Sequence, residues 1–563
     1  MSEIRHALAA GYASMAAWSE LIDRINVFPV ADGDTGANLR ISLSPLRQTD
    51  NNKNENKKDL AEQLRRAAIG NSGNIAAAFF LPFTKAKRPE QLAEMAALGR
   101  DRAREAVAEP RPGAMLDVFG ALADALARNE TDYSPLEKAM RQAVISGMDL
   151  LPALTQAGVV DAGALAMYIF FAAFFQTIAG SDTIRVDVLS AFAGRLCPGG
   201  LNRGMKKDLY CIDTTLQVEA TESNLAAVKQ LGSSVIVNVC NNRLKIHIHT
   251  QDQQQLKTRL AGLGKITNWR EEPIDRQQTA RLNQRHRQAV HLLTDAAGSL
   301  PKNLADQYAI SLLDSFIVHD QQARPESLCR QEEIYRLLRE GARVSTAQAS
   351  IFERQQIYAG MLQRFDRCLY LCVGSAFTGN FAAVTAWKAQ HDPENRLRVI
   401  DTGAASGRLG LIALQVARFA EKNDDPQRII TFAEQCCRNT EEYLCINELK
   451  YLVRGGRLAK TRGFFGDLIH SKPIISPRPE GVHTAAMRHS LMGQLTFVLE
   501  QLEKTGNPPL ILLEYSDNQP WVKDEVLPEI RQLRPSAEIL TVPLSLTSGV
   551  HMGPGSWGAA WSS

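Results

Sequence analysis

Asp32 and Asp34 flank a single glycine in the string INVFPVADGDTGAN, residues 25–38, and a glycine between two carboxylates lets both turn toward one cation. Thr35, Gly36, Ala37 and Asn38 follow, offering a hydroxyl, backbone amides and a turn that a phosphate can approach. Transfer of the γ-phosphoryl group of ATP requires a divalent metal, oxygen ligands to hold it and N–H groups around the phosphates. The string fits a magnesium-ATP loop. Asp-Gly-Asp by itself is more often an exposed turn, so the surrounding residues decide between the two readings.

The loop lies in a stretch, residues 1–192, that reads as all-α. LRRAAIGNSGNIAAAFF, MLDVFGALADALARN and ALAMYIFFAAFF carry apolar patterns of helical length, separated by polar or glycine-containing joints. A polar run, residues 48–59, is too hydrophilic for a core and reads as a loop. The joint CPGGLNRGMKKD, residues 197–208, marks a boundary. Residues 205–282 then read as a small α+β unit, with strands in CIDTTLQVEA, SSVIVNVC and RLKIHIHT. From residue 286 to residue 563, short apolar runs such as RCLYLCVG and PLILLEYSD alternate with helical stretches, an α/β pattern. No fixed internal repeat is visible.

The 563 residues exceed what one core serves, which agrees with several domains. Lys plus Arg number 64 against 61 for Asp plus Glu, and a net charge of +3 is too small for the broad basic face that nucleic acid requires. The first twenty residues lack the apolar core of a signal peptide, and no stretch reaches the roughly 18 apolar residues of a membrane span. The nearest, Ala162 to Phe175, is bounded by Asp161 and Gln176 and reads as a buried helix. Nine scattered cysteines do not form a disulfide framework. A cytoplasmic location is expected.

Residues 25–38, together with AAIGNSGNI, PGAMLDVF and AGVVDAGALAM in the same order, closely resemble the DhaL-like kinases, which include dihydroxyacetone kinase and the kinase component of bacterial fatty acid kinase. The resemblance covers most of residues 1–192 and implies a barrel of antiparallel helices with ATP and two magnesium ions at one end. It makes Asp32 and Asp34 metal ligands, with Asn26 as a third where dihydroxyacetone kinases have Asp. It places Thr35, Gly36, Asn38, Asn71, Ser72 and Gly73 at the phosphates, and Met115, Asp161 and Gly163 near the nucleotide. Ile69 and Ala164 depart from residues usual in the family, and neither is a ligand. Residues 208–282 resemble the middle domain of the fatty acid kinase component, which implies zinc on Cys211, His247 and His249. Residues two apart on a strand share a face, so the two imidazoles can converge on one ion with a thiolate from a neighbouring strand. The competing reading is a strand whose outward face happens to carry two histidines.

Residues 286–563 resemble the DegV family of fatty-acid-binding proteins through LLTDAAGSLP, VSTAQAS, VGSAFTGN, VIDTGAASG, YLVRGGRLA, SKPIIS and SGVHMGPGSWG. A fatty acid needs an apolar tunnel and a few polar donors for its carboxylate. The resemblance assigns Thr346, Thr378 and His551 to the carboxylate, and Arg457 and Arg488 to the incoming phosphates. Thr378, Ala296, Ala347, Ala349 and Asn380 replace usual family residues, which touches pocket shape and lipid preference. The combined expectation is a kinase fused to its lipid carrier that makes an acyl phosphate from a long-chain fatty acid and ATP. An acyltransferase that uses acyl phosphate, within phospholipid metabolism, and a second copy of the chain are the expected partners. Two alternatives stand beside it: a dihydroxyacetone (glycerone) kinase, and a lipid-binding or regulatory protein without turnover.

Overall fold

Ala162–Ile178 is apolar on every face, and every residue from Ala162 to Phe175 is buried, as a helix without a polar stripe must be. The computed structural model describes residues 3–47, 60–128, 133–181, 183–198, 209–240, 242–274, 288–320, 322–454 and 471–562. The polar run at 48–59, most of the joint at 197–208, the segment 275–287 and Arg457 lie outside the described residues. Two units emerge, residues 1–282 and 283–563.

In the first unit the helices are α1 (Glu3–Ala17), α2 (Ser19–Arg24), α3 (Thr35–Ser42), α4 (Leu60–Ala67) and α5 (Gly70–Phe83). They are followed by α6 (Leu92–Ala106), α7 (Met115–Ala127), α8 (Tyr133–Leu150), α9 (Pro152–Ala157), α10 (Ala162–Ile178) and α11 (Val188–Ala191). Helix α10 packs on α1, α7 and α8, so the apolar segment is the centre of the helical bundle. No helix among the described residues is long and apolar enough to cross a membrane. Aromatic rings from three helices close the core: Phe79 of α5 stacks on Phe119 of α7 with centroids 4.0 Å apart and meets Phe171 of α10 edge-on at 5.6 Å.

Close helix approach depends on particular glycines. A Cβ on Gly36 would lie 2.3 Å from the backbone oxygen of Ser19, where α3 crosses α2, and backbone atoms cannot swing aside. Gly36→Ala is therefore expected to lower stability by about 1–3 kcal/mol or more, as overpacking does. A lowered urea midpoint at an unchanged m-value checks this, and an unchanged midpoint would mean that α2 and α3 separate freely.

The same unit carries strands β1 (Tyr210–Gln217), β2 (Ser233–Cys240), β3 (Arg243–Thr250) and β4 (Lys265–Pro273), in the order β2-β3-β1-β4. Period-two alternation sorts β3 into two faces. Leu244, Ile246 and Ile248 join Ile212 and Leu216 in the apolar core, while Lys245, His247 and His249 occupy the opposite face and are also buried. Helices α5 and α6 pack against β2, and Ala108 N–H donates to the Val235 carbonyl at 3.0 Å, tying the sheet to the helices.

The second unit is α/β. A parallel four-stranded sheet runs β11-β10-β5-β6, built from β5 (His291–Asp295), β6 (Ile310–Leu313), β10 (Cys368–Cys372) and β11 (Leu397–Asp401). A three-stranded sheet joins β8 (Gln322–Pro325), β7 (Phe316–His319) and β9 (Val344–Ala347). The six-stranded sheet β14-β13-β12-β17-β15-β16 uses β12 (Thr440–Cys445), β13 (Lys472–Arg478) and β14 (Gly481–Arg488). Its remaining strands are β15 (Leu510–Tyr515), β16 (Glu538–Pro543) and β17 (Trp557–Ser562).

Two fully buried carboxyls, Glu442 of β12 and Glu514 of β15, lie on either side of β17 and both approach Gly407. Burial and the like charge of Glu514 push Glu442 well above the carboxyl range, and the Gly407 N–H donates to its Oε1 at 2.7 Å. A carboxyl whose pKa folding has raised holds its proton more tightly in the native chain. Its contribution is full below the ordinary value of 4.5 and is lost as pH rises. Glu442→Gln is thus expected to flatten the fall of thermal stability between pH 5 and pH 8. A fall of stability with pH that is the same in variant and parent would refute the raised pKa of Glu442.

Candidate functional site

Four helices of the first unit begin at one cavity of about 670 Å³: Thr35 of α3, Gly70 of α5, Met115 of α7 and, at α10, the capping residue Asp161 all line it. Helix N-termini carry partial positive charge, so their convergence suits an anion, although Asp23, Asp213 and Asp161 already accept from the N–H groups of Gly36, Gly70 and Ala164. Asn71 and Ser72 of α5, Asn38 of α3 and Gly163 of α10 complete this wall.

Asp32 and Asp34 stand at the same cavity. Burial raises Asp32, and burial together with the charges of Asp32 and Asp23 raises Asp34 well above the ordinary range. Crowded carboxylates of this kind resist ionisation until a cation compensates them. Asn26, buried beside them, donates through Nδ2 to Asp32 Oδ1 at 2.7 Å, and its own Oδ1 has no hydrogen-bond partner among the described residues. Asn26, Asp32 and Asp34 thus offer oxygens to a hard divalent cation such as magnesium, and the orphaned amide oxygen fits such a ligand. Asp161 accepts from Ala164 N–H at 2.7 Å, and burial lifts its pKa to about 7.

Gly36 and Gly73 stand behind the wall. Gly36 N–H donates to Asp23 Oδ1 at 2.7 Å, and Ala37 N–H reaches the same oxygen at 3.2 Å. A Cβ on Gly73 would lie 2.1 Å from Ser42 Oγ. Asp23, which the sequence did not single out, is the acceptor that holds the start of α3.

The opposite wall comes from the sheet. Strand register sets Cys211 against His249 and Asp213 against His247. His247 Nε2 lies 3.2 Å from His249 Nε2, and Cys211 Sγ lies 3.8 Å from His247 Nδ1. One donor atom from each of the three residues falls within 4.8 Å of the others. Burial and the neighbouring His247 push His249 down to about 3, so its ring is neutral at ordinary pH. Burial and the charge of Asp213 push the Cys211 thiol well up. A half-buried thiol and two buried imidazoles fit a borderline-soft cation such as zinc, which would displace the thiol proton. The outward-face reading of the two histidines fails, because His247 is 0% and His249 3% exposed.

Asp213 is the second residue that sequence reasoning missed. Burial pushes its carboxyl upward, but the charge and hydrogen bond of His247 and the charge of Lys245 outweigh this and hold it well below the usual range. It shares a strand face with Cys211, two residues away, and that spacing was the available signal.

In the second unit, Thr346 on β9 and His551 on the helix Leu546–Met552 come together, Oγ1 to Nε2, at 3.2 Å. Thr378 follows β10 at the carboxyl end of the parallel sheet, where strand order reverses between β5 and β10. Ligands of open α/β sheets bind in such crevices. Thr378 Oγ1 accepts from Asn380 N–H at 3.3 Å, and Asn380 Nδ2 donates to the buried Asp295 at 2.7 Å. Arg488 ends β14 with its guanidinium 5.1 Å from the Phe497 ring centre.

Residues 29–176 match the model of the DAK2 domain, and residues 289–563 match that of the DegV family of uncharacterised proteins. A DegV domain-containing protein of Caldanaerobacter subterraneus is 25% identical over 274 residues, 47% of this chain and 95% of that protein. Protein YloV of Bacillus subtilis is 26% identical over 313 residues, 50% of this chain and 57% of that protein. A DegV family protein of Thermus thermophilus, whose structure is described as fatty acid binding, is 23% identical with a TM-score of 0.45, covering 49% of this chain and 99% of that one.

Proposed function

From a chain that carries a DAK2 domain at residues 29–176 and a DegV-family domain at residues 289–563, we propose an ATP-dependent kinase whose acceptor is the carboxylate of a fatty acid. The observation that carries this reading is the meeting of four helix N-termini with Asp32 and Asp34 at one cavity, a mixed anion and cation site suited to magnesium-ATP. The acceptor is taken from the DegV domain, whose Thr346, Thr378 and His551 supply hydroxyls and an imidazole for a carboxylate.

A carboxylate oxygen of the fatty acid attacks the γ-phosphorus. The bond from that phosphorus to the β,γ-bridging oxygen breaks, and ADP and acyl phosphate result. A carboxylic acid with a pKa near ~4.3 is already ionised at neutral pH, so no general base is needed. The helix N-termini orient and stabilise the phosphates, and Asn26, Asp32 and Asp34 would hold magnesium, which supplies charge neutralisation. Cys211, His247 and His249 would hold zinc.

The test incubates the purified protein with magnesium-ATP, oleate and hydroxylamine, which traps acyl phosphate as a hydroxamate. Hydroxamate that depends on both oleate and ATP is expected. No hydroxamate with any long-chain acid, or phosphorylation of dihydroxyacetone instead, would remove the reading.

A further inference from the structure

Asp213 touches both walls of the cavity at once. It is 4% exposed. Its Oδ2 accepts from the N–H of Gly70, the first residue of α5, at 2.9 Å, and its Oδ1 accepts from Asn74 Nδ2, one turn further on, at 3.0 Å. The same Oδ1 lies 3.4 Å from His247 Nδ1. Gly70 has φ +65°, and a Cβ there would lie 2.1 Å from Asn38 Nδ2, so the first peptide of α5 has little freedom of its own. Asn74 also donates to the Gly70 carbonyl at 2.7 Å and accepts at its own carbonyl from Asn238 Nδ2 of β2 at 3.0 Å. The turn bearing Asn71 and Ser72 is thereby fastened to the sheet that bears the thiol and imidazoles.

We propose that Asp213 is a positioning residue that links the two halves of the site, so that a cation on Cys211, His247 and His249 and a nucleotide at the start of α5 raise each other's affinity. The proposal rests on the functional reading above, in which the cavity takes magnesium-nucleotide and the thiol–imidazole set takes zinc. With Nε2 of His247 turned to the cation, the ring is left to donate Nδ1–H to Asp213 Oδ1, and a cation on the ring makes that N–H a stronger donor. A firmly held carboxylate keeps Oδ2 under Gly70 N–H, so less of the ordering of α5 remains for the phosphates to bring about. Attraction through space between the cation and the phosphates acts in the same direction but does not require these hydrogen bonds, and that difference separates the two causes.

The experiment uses the full chain, stripped with a chelator. Calorimetry gives the Kd of magnesium-ADP with and without one equivalent of Zn2+, and competition with a chromophoric chelator gives the Kd of Zn2+ with and without magnesium-ADP. The parent is expected to show about a fivefold or larger tightening, equal in both directions as linkage requires. In Asp213→Asn, zinc affinity is expected to fall about 10–100-fold, and the factor between the ligands is expected to drop within about twofold of unity. Asn74→Ala removes the donor to Asp213 Oδ1 and to the Gly70 carbonyl, leaves the Gly70 N–H bond to Oδ2 in place, and is expected to diminish the factor while keeping zinc affinity. With Co2+ as the probe metal, magnesium-ADP is expected to shift the visible d–d bands of the parent and not those of either variant. A factor of one in the parent, or an undiminished factor in both variants, overturns the proposal. A parent that binds neither Zn2+ nor magnesium-ADP overturns the functional reading, and the linkage falls with it.

Discussion

Asp34→Asn is expected to lower oleate-dependent hydroxamate formation by about 10³-fold or more, since a cation that neutralises a transferring phosphoryl group contributes several kcal/mol and about 1.4 kcal/mol is tenfold in rate. The same substitution removes one of three crowded carboxylates. Asp34 is buried, and Asp32 and Asp23 both oppose its ionisation. Folding stability is therefore expected to hold or to rise, the usual relation between an active site and the fold that carries it. Activity and thermal melting measured on one preparation check the two halves together. Full activity would remove Asp34 from the machinery, and lost activity with a collapsed melting transition would leave its role in catalysis unsupported.

His551→Ala is expected to weaken fatty acid binding by about 10–100-fold, the effect of losing a hydrogen bond to a charged group at about 1.5–3 kcal/mol, while the Kd of magnesium-ADP stays within twofold. His551 is not placed by its own helix alone. Its helix is capped by Ser545, and Glu326 accepts from the N–H and the hydroxyl of Thr547. Burial raises the Glu326 carboxyl and the bonds from Thr547 only partly offset it, leaving it at about 7. Displacement of a fluorescent fatty acid by oleate reads the lipid arm, and calorimetry reads the nucleotide arm. Unchanged oleate affinity would take His551 out of the carboxylate site, and equal losses in both arms would mean a general failure to fold.

Much of this was legible along the chain because it is local or periodic. The glycine between Asp32 and Asp34 allows both carboxylates to turn, whatever surrounds them. The unbroken apolar run from Ala162 to Phe175 has no face to offer water, so burial at the centre of a bundle follows. Alternation in RLKIHIHT puts His247 and His249 on one side and Leu244, Ile246 and Ile248 on the other. Thr346 and His551, 205 residues apart, were joined only by family resemblance, and 3.2 Å now separates their polar atoms.

What remained depended on chain crossings that no local window contains. Asp23 and Gly36 look like a helix-end charge and a flexible turn; only the crossing of α2 and α3 makes one the acceptor for the other and leaves no room for a Cβ. Glu442 and Glu514 are ordinary strand residues until β17 brings them face to face. The sequence by itself determined which residues could bear metal, phosphate and carboxylate, because those capacities reside in side-chain type and in spacing along one element. The tertiary structure alone decided that four helix N-termini, the Asp32–Asp34 pair and the Cys211, His247 and His249 cluster face one cavity, because that convergence is set by packing between segments as far apart as Asn26 and His249.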